Sequence, residues 1–434
     1  MQTKRRLLSL DIFRGIAIAG MMLVNNPGTW SDVYSPLLHA EWHGCTPTDL
    51  VFPFFLFIMG VAIPLALTRR KESGSSLRDI YMKVGRRTLL LFGWGLFLAA
   101  FPRFGMDNPP VGVLVIHYLL LTLFLGSVFF RESLDEEQST YTKTHKILTG
   151  GIALSVLGMV ILGIMYYDFS SLRIPGVLQR IALVYGICAL LFQKFDGRSL
   201  FYIGAGVLLL YWFLMAVVPV PGVGYANLEP DTNLGAWLDN LLLKGHLWRS
   251  SKVWDPEGLL STLPAIGTGI AGILTGMWLR SPRNDHQKLS AILSVGAILI
   301  FLGLFWDLSF PINKKIWTSS YVLYHSGIAL LVLGVIYWLV DTLHYTSWTK
   351  PFVIYGRNAL VLYIASGILT KTLFLLKTTN AAGEQQNLYA WIYQHVFDSW
   401  LPAADASFAF AVTYVLVMLL LGWLLYRRDV FIKV

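Results

Sequence analysis

A polar loop between two apolar segments holds the side chains best suited to chemistry. The stretch from Leu7 to Leu67 is centred on LVNNPGTWSDVYSPLLHAEWHGCTPTDLVFPFFLF. Its loop has no Lys or Arg and carries the polar residues Asn25, Asn26, His39, Glu41, His43 and Asp49. An imidazole is neutral near pH 7 and can take a proton from an amine or a hydroxyl. We therefore expect acid–base chemistry in this loop.

Three kinds of side chain in the loop suit an acyl-transfer reaction. His39 is the natural general base. Asn25 or Asn26, where the first apolar segment meets Pro27, can donate an amide N–H to a developing oxyanion. Asp49 either orients an imidazole or caps the helix that TPTDLVFPFF begins. The residue pattern alone leaves these alternatives open.

Other kinds of active site find little support in the sequence. The spacing of His39, Glu41 and His43 matches no zinc signature, so we expect no bound metal. There is no GxxxxGK[ST] loop and no GxSxG motif. A built-in ATPase and the commonest type of serine hydrolase are therefore not expected.

The composition is that of a polytopic membrane protein. Of the 434 residues, 55% are hydrophobic and 14% are charged, and the mean hydropathy is +0.59. Apolar runs of about 18 to 22 residues indicate transmembrane helices, because a barrel would show shorter alternating segments. The net charge of +9 comes from Lys and Arg beside the ends of these runs, which indicates membrane topology rather than nucleic-acid binding. The predicted fold class is an all-α transmembrane bundle in a lipid bilayer.

The apolar runs predict about twelve membrane spans. We place them at 8–25, 50–68, 88–101, 112–130, 147–166, 176–193, 200–218, 261–279, 289–306, 317–340, 353–376 and 407–426. Lys and Arg are concentrated in the connections on one side, so the positive-inside rule predicts that both termini are cytoplasmic. No cleavable signal is apparent, and we expect the first helix to be retained.

This orientation places two polar loops on the outer face of the membrane. One runs from Pro27 to Thr48, and the other, from Pro219 to Leu260, carries WDPEGLLS. We expect both loops to form the substrate site. The residues expected to contact the substrate are Asn26, Glu41, Trp42, Asp255 and Glu257.

Ionisable residues inside the spans also need an explanation, because they are costly there. Asp11 and Arg14 lie three residues apart on one helix face and can form an ion pair. Arg180 follows a proline at the start of the sixth span and is too deep to serve only as an interfacial anchor. His117 and His325 also project from spans, where single histidines are more often packed than catalytic.

A set of motifs along the chain resembles a known family of membrane acetyltransferases. They are LSLDIFRGIAIAGMMLVNN, LLHAEWHGCTPTDLVFPFFLFIMG, RIPGVLQR, WDPEGLLSTLPA, PINKKIWTSSYVL, YGRNALVLY and YRRDVFIKV. Together they resemble the family typified by heparan-alpha-glucosaminide N-acetyltransferase, whose bacterial members are inner-membrane proteins called NagX. The motifs occur in order over nearly the whole chain.

The resemblance implies an activity and roles for particular residues. In that family, acetyl-CoA on the cytosolic side donates its acetyl group to the amine of a terminal glucosamine across the membrane. The family's functional histidine corresponds to His39, its asparagine to Asn25 and its aspartate to Asp49. We expect the phosphates of coenzyme A to be bound by basic residues, namely Arg14, Arg87, Arg180 and Lys433. The expected acceptor is a small amino sugar, and the resemblance favours a homodimer.

The chain also departs from the family pattern. Lysosomal members carry an N-terminal lumenal domain and an extra first helix before the shared motifs. In the lysosomal members, the span that follows DLVFP leads almost directly to RIPGVLQR. In this chain, residues 103–172 add about two spans between these motifs, and we interpret them as an inserted hairpin. The expected architecture is one domain, 1–434, with ten family helices and this hairpin.

Two other functions must be weighed against the enzyme. An amino-sugar transporter would suit about twelve spans and an aromatic content of 14%, but it predicts an internal repeat and a midplane site, which we do not find. A membrane scaffold without chemistry leaves the polar residues in the spans unexplained.

Overall fold

The fold is a bundle of α-helices. The computed structural model describes residues 7–106, 110–132, 141–379 and 383–431. Its α-helices are α1 Leu8–Asn25, α2 Pro47–Glu72, α3 Leu77–Ala100, α4 Val111–Glu132, α5 Tyr141–Tyr166, α6 Val177–Lys194, α7 Gly197–Ala216, α8 Leu234–Leu243, α9 Thr262–Arg280, α10 Asp285–Asp307, α11 Ser319–Tyr337, α12 Lys350–Arg357, α13 Ala359–Leu375, α14 Leu388–Tyr393 and α15 Ala403–Arg427. In these ranges the only strands are β1 Lys377–Thr379 and β2 Gln385–Asn387, which form one antiparallel pair. The all-α prediction is confirmed.

Most of the long helices are apolar enough to cross a membrane. Within the described residues ten helices pass this test, and the bent pair α12 and α13, with an angle of 82° between them, raises the number to as many as eleven. The span expected at 88–101 lies in α3, which begins earlier, at Leu77, in a basic segment and is not among the ten. The polytopic class is therefore confirmed, while the number of about twelve spans and the orientation stay predictions.

The centre of the bundle is the contact between α2 and α9, where glycines bring the two backbones together. A Cβ atom placed on Gly60 would lie 2.2 Å from the carbonyl oxygen of Gly269. One placed on Gly272 would lie 2.2 Å from the carbonyl oxygen of Phe57. Small residues at such crossings are typical of helices packed in membranes. These glycines therefore let α2 and α9 approach more closely than larger residues would allow.

One end of the bundle, here called the loop end, gathers the first residues of several helices. The hydroxyl of Tyr321, near the start of α11, donates to the carbonyl oxygen of Asp49 at the start of α2 (2.5 Å). Arg180, near the start of α6, donates to the hydroxyl of Ser261, which precedes α9. At the opposite end, the backbone N–H of Ser9 at the start of α1 donates to Asp341 (3.1 Å). The long connections 26–46, 217–261 and 308–318 therefore meet at the loop end.

The helices α4 and α5 pack against each other as a hairpin. At the base of this pair His117 is buried, and its Nδ1 lies 2.8 Å from the hydroxyl of Tyr167. The rings of Phe101 and Phe104 pack around the same histidine. His117 is thus a packed, hydrogen-bonded residue of the hairpin. That the segment 103–172 is an insertion in a single domain stays a prediction.

Candidate active site at the loop end

His39 and Asp49 form a hydrogen-bonded pair at the loop end. Nδ1 of His39 lies 2.6 Å from Oδ1 of Asp49. The His39 side chain is 37% exposed, whereas that of Asp49 is 2% exposed. Among the described residues Nε2 of His39 has no hydrogen-bond partner. A buried carboxylate that holds one ring nitrogen leaves the other available to accept a proton, which is the arrangement a general base needs.

The carboxylate of Asp49 is itself fixed by the start of α2. Its Oδ2 accepts hydrogen bonds from the backbone N–H of Ala40 (3.0 Å), the backbone N–H of Thr46 (3.0 Å) and the hydroxyl of Thr46 (3.1 Å). Thr46 and Asp49 form a capping box, with Pro47 in the first turn. Asp49 therefore both caps the helix and orients the imidazole, so the two roles that the sequence left open are compatible.

The connection 308–318 holds the polar loop in place. The backbone N–H of Gly44 donates to the carbonyl oxygen of Ile312 (2.7 Å), and Gly44 and Asn313 form a parallel bridge. The amine of Lys315 donates to the carbonyl oxygen of Glu41 and lies 5.9 Å from the centre of the Trp42 ring. These contacts order a loop that has little regular structure of its own.

The WDPEG segment forms a charged network next to the polar loop. Arg173 donates to both oxygens of Asp255, at 2.8 and 2.6 Å, and to Glu257 at 2.6 Å. These carboxylates raise the pKa of Arg173 further above its usual value. Asp239 accepts the backbone N–H of Leu259 (2.8 Å), and burial raises its pKa to about 6. The segment is thus tied to the connection before α6 and to α8.

Arg180 lies beneath this network. It is 1% exposed, and its Nη2 donates to the carbonyl oxygen of Gly258 (3.1 Å) and to the hydroxyl of Ser261. Its guanidinium carbon lies 5.1 Å from the centre of the Trp317 ring. Among the described residues, Nε and Nη1 of Arg180 have no hydrogen-bond partner. Since Asp239, Asp255 and Glu257 also act on its charge, Arg180 is a buried cation at the loop end.

Comparisons with known proteins find similarity over much of the chain. Residues 6–220 match a family model described as a domain of unknown function, DUF5009. The chain is 28% identical over 376 residues to heparan-alpha-glucosaminide N-acetyltransferase of Homo sapiens, which covers 75% of this chain and 47% of that protein. It is 26% identical over 367 residues to the Mus musculus protein of that name, with 73% and 46% covered. This similarity over about three quarters of the chain supports its resemblance to the heparan-alpha-glucosaminide N-acetyltransferase-like family. The chain spans about half the length of the curated relatives it matches.

Three of the residues expected to bind coenzyme A are described by the structure, and they do not all lie at one end of the bundle. Arg14 is at the opposite end, 3.4 Å from Asp11 and 3.4 Å from the carbonyl oxygen of Gly356. Arg87 on α3 lies over the ring of Tyr185, at 4.8 Å from its centre. Arg180 is at the loop end, so it does not share a phosphate site with Arg14, contrary to the expectation.

Lys433, the fourth of these residues, lies outside the described residues.

The two asparagines of the polar loop differ in their surroundings. Asn26 is buried, donates to the carbonyl oxygen of Met22 (2.8 Å) and accepts the hydroxyl of Thr370 (2.7 Å). Asn25 is exposed, and its side chain makes no hydrogen bond to a described residue. No hydrogen bond among the described residues joins either asparagine to His39. Asn26 is thus fixed against α13, and the catalytic role of Asn25 stays a prediction.

The remaining substrate candidates divide into packed and accessible residues. Trp42 donates from Nε1 to the carbonyl oxygen of Leu228 (2.9 Å) and packs edge-on against Trp254 (5.2 Å between ring centres). Glu41 is exposed beside it. Asp255 and Glu257 are bound by Arg173, as described above.

Among the described residues no group of three or more His, Cys, Asp and Glu side chains could hold a metal ion, which gives the alternative with His39, Glu41 and His43 no support.

Several residues of the site were not singled out from the sequence. Asn313, Lys314, Trp317 and Tyr321 all lie in or next to PINKKIWTSSYVL, a motif used only for the family resemblance. The sequence pattern gives Arg173 no particular role. Two adjacent lysines in an otherwise apolar motif are unusual and could have drawn attention to this segment. Nothing in the sequence indicates, however, that the segment packs against the polar loop.

Proposed function

We propose that this chain is a membrane N-acetyltransferase that moves an acetyl group from acetyl-CoA to the amine of a glucosamine-type sugar at the loop end. The observation that carries the proposal is the His39–Asp49 pair, with one ring nitrogen fixed at 2.6 Å and the other unpartnered among the described residues. The relatives named N-acetyltransferases of heparan-alpha-glucosaminide support the reaction class. The acceptor and the donor are parts of the proposal.

The pair suits the proton transfer that amide formation requires. As the sugar nitrogen attacks the thioester carbonyl, a C–N bond forms and the nitrogen must lose a proton. Nε2 of His39 takes that proton, while Nδ1–H donates to Asp49, which stabilises the imidazolium. The C–S bond then breaks, and the coenzyme A thiolate receives the proton. An acetyl-histidine intermediate at Nε2 is the alternative route, and the geometry serves both.

The proposed donor path runs between the two ends of the bundle. Arg14 lies in α1 about 16 Å along the helix from Asn25, at 1.5 Å per residue. We propose that the coenzyme A phosphates bind at the end that carries Arg14, with Arg87 and Lys433 as further cations, and that the extended pantetheine arm reaches toward His39. In this arrangement both termini are cytoplasmic, in the inner membrane of a bacterium, and the sugar binds from outside.

One observation favours a transporter as the second candidate. The helices α12 and α13 meet at 82° next to Asn358, and broken helices line the substrate sites of many secondary transporters. A transporter, however, gives no reason for an imidazole oriented by a carboxylate in a loop. We therefore place the amino-sugar transporter second.

The two candidates are separated by a pair of assays on purified protein. In the first, detergent-solubilised protein is mixed with radiolabelled acetyl-CoA and glucosamine, and labelled N-acetylglucosamine is measured. In the second, liposomes that contain the protein and no acetyl-CoA are given labelled glucosamine. Product formation supports the enzyme. Uptake without any acetylated product from a panel of amino sugars would support the transporter instead.

A further inference from the structure

Lys314 has an unusual position at the loop end. It lies in the connection 308–318 and is half-buried. This connection lies against the polar loop, because the N–H of Gly44 donates to the carbonyl oxygen of Ile312 (2.7 Å) and Gly44 forms a parallel bridge with Asn313. The carboxylates of Glu257 and Asp49 act on the charge of Lys314. Yet its amine makes no hydrogen bond or ion pair with any residue that the structure describes. The neighbouring Lys315, by contrast, donates to the carbonyl oxygen of Glu41.

Both nearby carboxylates are already occupied. Oε2 of Glu257 lies 2.6 Å from Arg173. Asp49 uses one oxygen for His39 and the other for Ala40 and Thr46. They keep a negative potential around Lys314 without binding its amine. The amine therefore has its donors available for a ligand.

The backbone around Lys314 is held rigidly. The side chain of Asn313, fully buried, accepts the backbone N–H groups of Lys315 (2.7 Å) and Ile316 (3.1 Å). The N–H of Asn313 donates to the hydroxyl of Thr318 (2.9 Å), and the N–H of Thr318 returns to the carbonyl oxygen of Asn313 (3.1 Å). Such a turn fixes the direction from which the lysine side chain leaves the loop. A preorganised donor costs little reorganisation when charge develops on a substrate.

The surroundings of Lys314 change the pKa of its amine. Burial and the cations Lys315 and Arg180 lower its pKa, whereas Glu257 and Asp49 raise it, and the net change is a lowered pKa. Burial makes a charged amine interact more strongly with a developing anion than it would in water.

We propose that Lys314 donates a hydrogen bond to the carbonyl oxygen of the acetyl group and stabilises the oxyanion of the tetrahedral intermediate. This inference rests on the proposed acetyl transfer. When the sugar nitrogen attacks, the C=O double bond becomes a C–O⁻ single bond beside the lysine. When the C=O bond forms again, the C–S bond breaks and the thiolate leaves, and Lys314 neither gains nor loses a covalent bond. The sequence pattern gave this role to Asn25 or Asn26, yet no described hydrogen bond joins them to His39.

A graded series of variants tests this role. Lys314→Arg keeps a charged donor, Lys314→Gln keeps a neutral donor, and Lys314→Met keeps only the length of the chain. We expect kcat for acetyl transfer to fall in this order, with a loss of about 100- to 1,000-fold in Lys314→Met, while KM for acetyl-CoA and for glucosamine changes by less than about 3-fold. Lys244→Met, at an exposed position outside the polar loop and the connection 308–318, is the control and should keep kcat within about 3-fold.

The outcomes separate this inference from the proposed function. Thermal unfolding and gel filtration show whether each variant is folded. If Lys314→Met does not fold, the comparison of Lys314→Arg with Lys314→Gln still tests the role. A kcat that does not depend on the donor at position 314, or an effect confined to KM, overturns the role of Lys314 while acetyl transfer stands. A folded wild type that transfers no acetyl group overturns both.

Discussion

Oδ1 of Asp49 lies 2.6 Å from Nδ1 of His39, although the two residues belong to different kinds of structure. Asp49 is in the first turn of α2, and His39 is in the irregular polar loop. The capping box at the start of α2 fixes the carboxylate, so the helix provides the rigid support that a loop histidine lacks. The candidate chemistry therefore depends on the local signal that begins a transmembrane helix.

The Arg173 network should be important for stability. Arg173→Gln leaves the buried carboxylate of Asp255 without its charged partner, and breaking such a pair typically costs about 3–5 kcal/mol. We expect a clearly lower midpoint of thermal unfolding in detergent. Arg249→Gln, which changes an exposed arginine in the same region, is the control and should unfold like the wild type. Equal midpoints for both variants would show that the network adds no stability.

Asp239 should make stability depend on pH. Its pKa is raised to about 6 by burial, above the value of about 3.9 in an unfolded chain. Its contribution is therefore full below about pH 4 and is lost as the pH rises through 6, because the folded state then holds a buried carboxylate anion. Relative to Asp239→Asn, the wild type should gain about 1 kcal/mol between pH 7 and pH 5. The measurement is the unfolding midpoint at several pH values, and Asp231→Asn, at an exposed position, should show no such trend.

The α2–α9 crossing should not tolerate a larger residue. In Gly272→Ala the new Cβ would meet the carbonyl oxygen of Phe57 at 2.2 Å, and the two backbones must separate. We expect a loss of about 1–3 kcal/mol, seen as earlier thermal unfolding. Gly206→Ala on α7 is the control, because a Cβ there meets nothing within 4 Å. If both variants unfold alike, the close crossing is not required.

The proposed orientation can be tested by labelling in intact cells. With both termini cytoplasmic, a membrane-impermeant maleimide should label Ser31→Cys in the polar loop from outside. Ser73→Cys, at the opposite end of α2, should react only after permeabilisation. The wild type, with Cys45 and Cys188, gives the background. Labelling of Ser73→Cys alone in intact cells would reverse the orientation and the proposed donor side.

The fold was largely accessible from the sequence because its signals are local. Apolar runs of membrane length predict α1 and α2 well, and the capping signal at Thr46–Asp49 marks where α2 begins. Two elements differ from the expectation. The helix α3 begins in basic residues that no apolar pattern marks, and the run at 353–376 is broken beside Asn358 into α12 and α13.

The candidate site was only partly accessible from the sequence. His39 and Asp49 share one short stretch, so their pairing could be anticipated. Arg173 and Asp255 are 82 residues apart, and the depth at which Arg180 lies depends on how α6 meets α9. Contacts between distant segments are set by packing, which residue types and spacing do not encode directly. Lys314 shows this most clearly, because the sequence does not distinguish it from Lys315.

The central claim is that His39 is the base of an acetyl transfer. The direct measurement is the rate at which purified wild type, His39→Ala and His43→Ala convert radiolabelled acetyl-CoA and glucosamine to labelled N-acetylglucosamine. We expect activity in the wild type and a loss of about 100- to 10,000-fold in kcat for His39→Ala. His43→Ala, which removes the other histidine of the same loop, should keep nearly full activity. A folded His39→Ala that transfers acetyl groups at the wild-type rate would contradict the account.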